Sequence, residues 1–200
     1  MLPRKSFFDT DSEHDSNLRI LMRHSSVLLV IASEGFQNIE YQVPKDIITQ
    51  AGFLVKTASN KKDPAIAKDG SIANVDYSLE EVNVDHFHGI FFIGGPGAID
   101  CLDNPKSYSI INFAVQARLP IGAICIASRI LAKAGVLKGK HATGWNGDGN
   151  LEEIFEQSNA VYIRQNVVVD GTIITAVGPQ AAEEFGNQIV SMLQDNKGWG

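Results

Sequence analysis

The chain has 200 residues, of which 44% are hydrophobic and 20% charged, which is enough for one α/β domain with a full core. The formal net charge of −6 argues against nucleic acid or an anionic membrane as the main partner. The two cysteines, Cys101 and Cys125, provide no disulfide framework, and reduced thiols favour a cytoplasmic location. The spacing of cysteine and histidine predicts no zinc site, and no apolar run approaches the roughly 18 residues of a membrane span.

Composition divides the chain into three parts. Residues 1–24 are polar and of mixed charge, which predicts a flexible extension, and they lack the basic-then-apolar order of a secretory signal. Residues 25–195 form a single predicted domain. Residues 196–200 are expected to be a loose tail.

The domain begins with a strand, a helix and a second strand. Residues 27–32 are a continuous β-rich run, typical of a buried parallel strand. Asn38 is a candidate cap for a helix that ends at Gly52, and Pro44 predicts a kink in this helix or a break after its first turn. A second strand over 54–58 and a small hairpin around Asp69-Gly70 follow.

A third strand over 89–93 runs into the turn Gly94-Gly95-Pro96-Gly97-Ala98. Such a turn lets backbone amides approach a ligand or a reactive atom, although it also serves as a plain strand-to-helix connection. No Lys-Ser or Lys-Thr follows the glycines, which excludes a P-loop. A helix is predicted over 107–117.

Cys125 lies where the fourth predicted strand gives way to a helix. Residues 121–124 are short and apolar, while the apolar residues from Ile126 onward follow helical spacing until Gly135. This corner has the geometry of a nucleophile elbow with cysteine in place of serine. The unpaired amides at the start of the helix should lower the thiol pKa, and the Ile126 amide should face an oxyanion. The alternative is a buried structural cysteine.

The remaining elements complete the α/β pattern. A glycine-rich connection over 137–149 precedes a short helix, three strands joined in part by the turn Asp170-Gly171, and a closing helix. Their predicted ranges are 151–157 for the short helix, 161–164, 167–169 and 173–177 for the strands, and 181–193 for the closing helix.

Alternating strands and helices predict an α/β fold, with a mostly parallel sheet covered by helices on both faces. Ligands in such sheets bind beyond the carboxyl ends of the strands. Three loops share that edge, namely 33–39, 94–98 and the turn at Cys125. Their convergence predicts an active site there.

In these motifs the chain resembles the DJ-1/PfpI family over roughly residues 25–195. The motifs occur in the expected order and spacing. They are Asn38-Ile39-Glu40, Gly94-Gly95, Gly122-Ala123-Ile124-Cys125, Leu131-Ala132-Lys133-Ala134-Gly135 with Leu137, and Thr175-Ala176-Val177-Gly178-Pro179 followed by Glu184-Phe185. The resemblance implies a flavodoxin-like three-layer sandwich, a homodimer and a reactive cysteine.

The resemblance also assigns roles to four residues. Cys125 corresponds to the family nucleophile, and Glu40 to the acid whose carboxyl contacts the sulfur. The Gly95 amide, with that of Ile126, corresponds to an oxyanion donor. A carboxyl beside a thiolate is a like-charge pair, so Glu40 should have a raised pKa and keep its proton. The alternative for Glu40 is an acid in the first turn of a helix, favoured by the helix dipole.

The chain departs from the family pattern at two positions. PfpI-type peptidases carry histidine directly after the cysteine, where this chain has Ile126. DJ-1-like glyoxalases use a histidine where this chain has Trp145, which should either wall the pocket or pack in the core. His141 lies four residues earlier and is expected to be either a solvated loop residue or, with Trp145, part of the pocket. Cys101 is expected to pack as a small hydrophobic residue.

These observations favour an enzyme without cofactor or metal, in which Cys125 and Glu40 act on small reactive carbonyls or on protein side chains modified by them. This would be glyoxalase-like or deglycase-like chemistry with a hydroxy acid as product. The first alternative is a redox-sensing or chaperone-like stress protein whose cysteine oxidises to sulfinate. A PfpI-type cysteine peptidase is the least favoured interpretation.

Overall fold

A computed structural model describes residues 26–195 of the chain. The predicted extension over 1–24 and the predicted tail over 196–200 lie outside the described residues. Within residues 26–195 no helix is both long and apolar enough to span a membrane.

The strands of the described residues are short, and four of the twelve are buried along their whole length. They are β1 (Ser26–Ile31), β2 (Glu34–Phe36), β3 (Leu54–Ser59), β4 (Ala65–Ala67), β5 (Ile72–Ala73), β6 (Tyr77–Ser78), β7 (Gly89–Phe92), β8 (Ile121–Ile124), β9 (His141–Ala142), β10 (Val161–Tyr162), β11 (Val167–Asp170) and β12 (Ile173–Ala176).

The α-helices alternate with these strands. They are α1 (Asn38–Gln50), α2 (Ala98–Leu102), α3 (Pro105–Gln116), α4 (Ser128–Lys133), α5 (Leu151–Gln157) and α6 (Ala182–Asp195). Short 3₁₀ turns occupy Leu79–Glu81, Val84–His86, Cys125–Ala127 and Pro179–Ala181.

The central sheet has seven strands in the order β11-β12-β8-β7-β1-β3-β6. Every neighbouring pair is parallel except β11 and β12, which form an antiparallel hairpin at one edge. The chain builds outward from β1 to β3 and then crosses to β7 on the other side of β1. This reversal creates the crevice in which open α/β sheets bind ligands.

The two faces of the sheet bury two separate hydrophobic clusters. In β1, Leu28 and Val30 belong to one cluster, whereas Val27, Leu29 and Ile31 belong to the other, as the two-residue repeat of a strand requires. Residues from α3, α4 and α5 cover the first cluster, and residues from α1 and α6 cover the second. The predicted α/β sandwich, with a mostly parallel sheet between two helical layers, is therefore confirmed.

Three local predictions need correction. Gln37, not Asn38, is the N-cap of α1, because the Asn38 side chain instead donates to Asp69 and Ser71. Helix α1 continues through Pro44, which lies inside it. The strand predicted over 161–164 is only β10, and it pairs with β9 outside the main sheet. The hairpin around Asp69-Gly70 is confirmed as β4 and β5.

Candidate active site

Cys125 lies at the carboxyl end of β8, with a backbone φ of +64°. A non-glycine residue in this region is strained and is usually held there by its surroundings. The Cys125 carbonyl accepts hydrogen bonds from Ser128 Oγ at 2.6 Å and from the Trp145 amide at 3.2 Å. These bonds fix the sharp corner that the sequence predicts, although a 3₁₀ turn over Cys125–Ala127 precedes α4.

Glu40 reaches the same point from the first turn of α1. Its side chain is fully buried, and its Oε2 accepts a hydrogen bond from the Gly94 amide at 3.1 Å. The other oxygen, Oε1, is buried and has no nitrogen or oxygen partner among residues 26–195. The Cys125 side chain lies beside this carboxyl, since a Cβ atom on Gly94 would be 2.6 Å from Cys125 Cβ and 2.7 Å from Glu40 Oε2, and Cys125 also affects the pKa of Glu40. The structure therefore brings the two predicted residues into contact.

Burial raises the pKa of Glu40 from 4.5 to about 7, while the hydrogen bonds from Cys125 and Gly94 lower it. The predicted direction is confirmed, but the main cause is desolvation rather than the like charge of a thiolate. A carboxyl group with this pKa can hold a proton or release it near neutral pH, as a general acid or base must.

The expected lowering of the Cys125 pKa is wrong. Burial, followed by the charge of Glu40, raises the thiol pKa from 9.0 to about 12, despite opposing hydrogen bonds from the backbone amides of Ile126 and Gly95. The sequence indicated those amides but gave no measure of how deeply the sulfur is buried. Because the two acids are in contact, their protons leave in two steps that belong to the pair. Loss of the first proton leaves one negative charge shared between carboxyl and sulfur.

Gly94 occupies the gap between the two acids. A Cβ atom at this position would lie 2.6 Å from Cys125 Cβ and 2.7 Å from Glu40 Oε2, so only glycine fits. Gly95 has a φ of +118°, and a Cβ there would lie 2.4 Å from the Gly35 carbonyl oxygen. This conformation favours glycine and lets the backbone pass close to the sulfur.

Cys125 opens into a cavity of about 290 Å³ at the carboxyl edge of the sheet. Its volume is near the lower end of the roughly 300–1,000 Å³ typical of small-molecule sites. The lining residues come from helix α1 and from the loops after β2, β4, β7, β8, β9 and β12. They are Gln37, Glu40, Lys68, Gly95, Pro96, Cys125, Ile126, Trp145 and Pro179.

Trp145 forms one wall of this cavity. Of its two predicted positions, the pocket wall is therefore confirmed over the core. The buried Arg129 side chain lies over the indole, with its guanidinium carbon 5.4 Å from the ring centroid. Arg129 also donates two hydrogen bonds to Asp148, at 2.9 and 2.6 Å, on the same loop. This bidentate pair ties the Trp145 loop to the helix that follows Cys125.

His141 lies elsewhere. Its imidazole is exposed, lies 3.3 Å from Asp170 and does not line the cavity. This agrees with a solvated loop histidine, and the alternative that His141 belongs to the pocket is wrong, because the imidazole instead lies beside Asp170. Cys101 is half-buried against both core clusters, with its sulfur 3.9 Å from Ser33 Oγ. No group of three potential metal-binding side chains occurs within the described part of the chain.

Gln37 and Pro96 lie in the predicted site loops 33–39 and 94–98, whereas sequence reasoning placed neither Lys68 nor Pro179 at the site. Pro179 follows a parallel strand, and the rule that ligands bind beyond the carboxyl ends would have found it. Lys68 has no such signal, because it belongs to the side sheet of β2, β4 and β5, whose placement over the cavity is a tertiary property.

The model of the DJ-1/PfpI family matches residues 25–192. An uncharacterised protein of Methanocaldococcus jannaschii is 31% identical over 176 residues, which cover 88% of this chain and 85% of that protein. A protein of Thermococcus kodakarensis named as a deglycase is 28% identical over 84% of this chain and 99% of its own. A protein of Caenorhabditis elegans named as a glutathione-independent glyoxalase is 26% identical over 84% of this chain and 89% of its own.

The solved structure of a ThiJ/PfpI domain protein from Brachyspira murdochii has the same fold, with a TM-score of 0.82 and 29% identity. The match covers 86% of this chain and 98% of that protein. The matched range of the family model runs from β1 into α6 and so includes every residue of the cavity. The chain belongs to the DJ-1/PfpI family.

Proposed function

We propose that this protein converts small α-oxoaldehydes, free or attached to protein side chains, into hydroxy acids through Cys125 and Glu40. The observation that carries the proposal is the buried contact between the Glu40 carboxyl and the Cys125 thiol at the floor of a small cavity. Relatives named as a deglycase and a glyoxalase support the same reaction class.

The singly ionised pair supplies the nucleophile. Glu40 is the stronger acid of the pair and acts as the base: its carboxylate takes the thiol proton as the sulfur attacks, and the Gly95 and Ile126 amides, which lower the thiol pKa, assist this transfer. The sulfur attacks the aldehyde carbon, so that a C–S bond forms and the carbonyl π bond breaks. The oxygen takes the Glu40 proton, which leaves a hemithioacetal held near the two amides.

The rest of the cycle needs no external oxidant. The Glu40 carboxylate removes the proton from the former aldehyde carbon and returns it to the neighbouring carbon through an enediol, which gives the thioester of a hydroxy acid. Water then adds to the thioester carbonyl, the C–S bond breaks, and the thiol recovers its proton. The aldehyde carbon is oxidised and the ketone carbon is reduced, so the electrons balance.

Turnover of methylglyoxal by the wild type, Cys125→Ser and Glu40→Gln tests this function. We expect Cys125→Ser to be inactive and Glu40→Gln to lose about 10²–10⁴-fold in kcat/KM, the range of general acid–base catalysis. Equal activity of all three proteins would contradict the proposal. A fully active Glu40→Gln with an inactive Cys125→Ser would remove Glu40 alone from the mechanism.

A second function, redox sensing, is favoured by the exposure of Cys125. The thiol is only partly buried, so peroxide can reach it through the cavity. A protonated Glu40 would then donate a hydrogen bond to the sulfinate and slow further oxidation. Intact-protein mass after mild peroxide treatment should show two added oxygens on wild type and none on Cys125→Ser. Absence of this product from the wild type would eliminate redox sensing.

We do not propose a Cys–His peptidase, because no histidine lines the cavity within residues 26–195. A homodimer and a cytoplasmic location remain proposals based on the family resemblance and on the free thiols. The cross-strand pair Ile66 and Ile72 is 49% and 72% exposed, and it offers an apolar surface for such a dimer. Light scattering after size-exclusion chromatography would measure the mass in solution.

A further inference from the structure

We propose that Lys68 selects substrates that carry a carboxylate at the end opposite the reacting carbonyl. The inference rests on the proposed function and adds to it a class of substrate, the α-oxoaldehydes with a terminal carboxylate. Lys68 carries the one cationic side chain among the described residues that line the cavity.

Lys68 is held at the cavity by its backbone. Its amide donates to the Phe36 carbonyl at 2.8 Å, in the loop that also carries Gln37 and leads into α1. The neighbouring Asp69 carboxylate is occupied by the Ser71 amide at 2.9 Å and by Asn38 Nδ2 at 3.2 Å. The turn between β4 and β5 is therefore fixed at the site, and Lys68, a lining residue, has an exposed side chain that can meet a ligand.

The Lys68 ammonium has no ion-pair partner in the described part of the chain. It reaches the cavity from a different part of the fold than Cys125, since Lys68 follows β4 of the side sheet and Cys125 follows β8 of the central sheet. Cys125 and Lys68 thus mark two separate points on one cavity wall. A ligand that spans them would place a carbonyl at the sulfur and an anionic group at the ammonium.

The remaining wall favours a carboxylate over a phosphate. In addition to the cationic Lys68, the wall carries the neutral polar side chain of Gln37. The side-chain amide of Gln37 forms no hydrogen bond with any of residues 26–195. One ammonium and one amide match a singly charged carboxylate, whereas phosphate sites usually supply more donors or an arginine fork. The single negative charge of the Cys125–Glu40 pair also requires the anionic end of a ligand to stay away from the sulfur.

The first test compares 4,5-dioxovalerate, an α-oxoaldehyde that ends in a carboxylate, with its neutral methyl ester and with methylglyoxal. We expect the wild type to prefer the acid over the ester by about 5- to 10-fold in kcat/KM, and added salt to reduce this preference, because one partly exposed ion pair supplies it. Lys68→Met should abolish the preference, measured as the ratio of kcat/KM for the acid to kcat/KM for the ester in the same protein, and Lys68→Arg should retain most of it. Lys138→Met, which removes an exposed lysine away from the cavity, is the matched control.

The second test does not depend on turnover. Levulinate has a ketone and a carboxylate but no aldehyde, and it should protect Cys125 from alkylation by iodoacetamide in the wild type. Protection should require about 5- to 10-fold more levulinate in Lys68→Met, and methyl levulinate should protect both proteins equally. Equal protection by the acid and the ester in the wild type would overturn the role of Lys68. Normal levulinate protection without turnover of any aldehyde would instead refute the proposed function and leave the carboxylate site standing.

Discussion

The Gly94 amide donates a hydrogen bond to the Glu40 carboxyl at 3.1 Å, and the Gly94 α-carbon lies in the narrow gap beside Cys125. One residue without a side chain thus lets an acid from α1 meet a thiol from the end of β8. The contact joins Glu40 and Cys125, which are 85 positions apart in the chain. Three predictions depend on it.

Gly94→Ala should abolish methylglyoxal turnover and speed the alkylation of Cys125, because a displaced Glu40 no longer raises the thiol pKa. The added methyl group would lie 2.6 Å from Cys125 Cβ and 2.8 Å from the Ile124 carbonyl oxygen, so the acid and the thiol must separate. We expect a stability loss of about 1–3 kcal/mol, typical of overpacking, together with loss of methylglyoxal turnover. Urea unfolding and alkylation by iodoacetamide measure the two effects.

Gly89→Ala is the matched control for this change. Its added methyl group would also be crowded, at 2.9 Å from Phe91 Cε2 and 3.2 Å from Leu193 Cδ2, but at the far end of the sheet. It should destabilise the protein while Cys125 in the folded fraction keeps its wild-type alkylation rate. A Gly94→Ala protein with wild-type alkylation kinetics would contradict the close contact that the structure describes.

Glu40→Gln should lower the Cys125 pKa. Burial, the charge of Glu40 and its hydrogen bond all raise the thiol pKa, to about 12. Glutamine keeps the shape of the side chain but removes the charge, so burial alone then opposes the amides of Ile126 and Gly95. The ultraviolet absorbance of the thiolate, followed against pH, should show the midpoint moving to lower pH. A midpoint that stays in place or rises would show that the two groups are not coupled.

The stability of the wild type should fall as pH rises from 4.5 to about 7, because Glu40 has a raised pKa in the folded protein. Below this window both states hold the protonated acid. Within it the unfolded chain ionises while the folded protein keeps its proton, so the free energy of unfolding decreases. Glu40→Gln lacks this penalty and should gain roughly 2–3 kcal/mol relative to the wild type across the window. The free energy of unfolding is measured in urea at a series of pH values. If it changed with pH in the same way for both proteins, the raised pKa of Glu40 would be refuted.

Much of this site follows from sequence because parallel strands place their carboxyl ends at one edge. The apolar run before Cys125 and the glycines after β7 are local signals, and both lead to this edge. The Glu40 contact needed the family resemblance, since an acid in the first turn of a helix has an ordinary explanation. The burial of the Cys125 sulfur could not be predicted, because it depends on the packing of distant loops. That burial raises the thiol pKa, whereas the sequence predicts a lowered one.

The side sheet shows a different limit of sequence reasoning. The turn at Asp69-Gly70 predicts the hairpin of β4 and β5, but the parallel pairing of β4 with β2 decides where that hairpin lies. Lys68 lines the cavity as a result of this pairing. Similarly, the preference of the Asn38 side chain for Asp69 and Ser71 over its own helix is a contact between elements, which a local capping rule does not contain.

His141→Ala should leave methylglyoxal turnover unchanged within about twofold. The imidazole is exposed and lies 3.3 Å from Asp170, on the hairpin of β11 and β12, rather than at Cys125. Steady-state kinetics across pH would test this, with His86→Ala, another exposed histidine outside the cavity, as the control. A loss of activity in His141→Ala alone would restore the histidine-dependent mechanism that Ile126 and Trp145 argue against.

Arg129→Met should loosen Trp145 and raise KM more than it lowers kcat. The guanidinium lies 5.4 Å from the centre of the indole and holds Asp148 through two hydrogen bonds, so its loss frees the wall of the cavity but leaves the Cys125–Glu40 contact intact. Methionine preserves the apolar stem of the side chain, and we expect a stability loss of about 1–3 kcal/mol from the broken pair. Arg129→Lys should restore the charge but not the bidentate geometry, so it should recover stability only in part and leave KM raised. If Arg129→Met lowered kcat and the iodoacetamide rate together without affecting KM, the arginine would act on the nucleophile and not through Trp145.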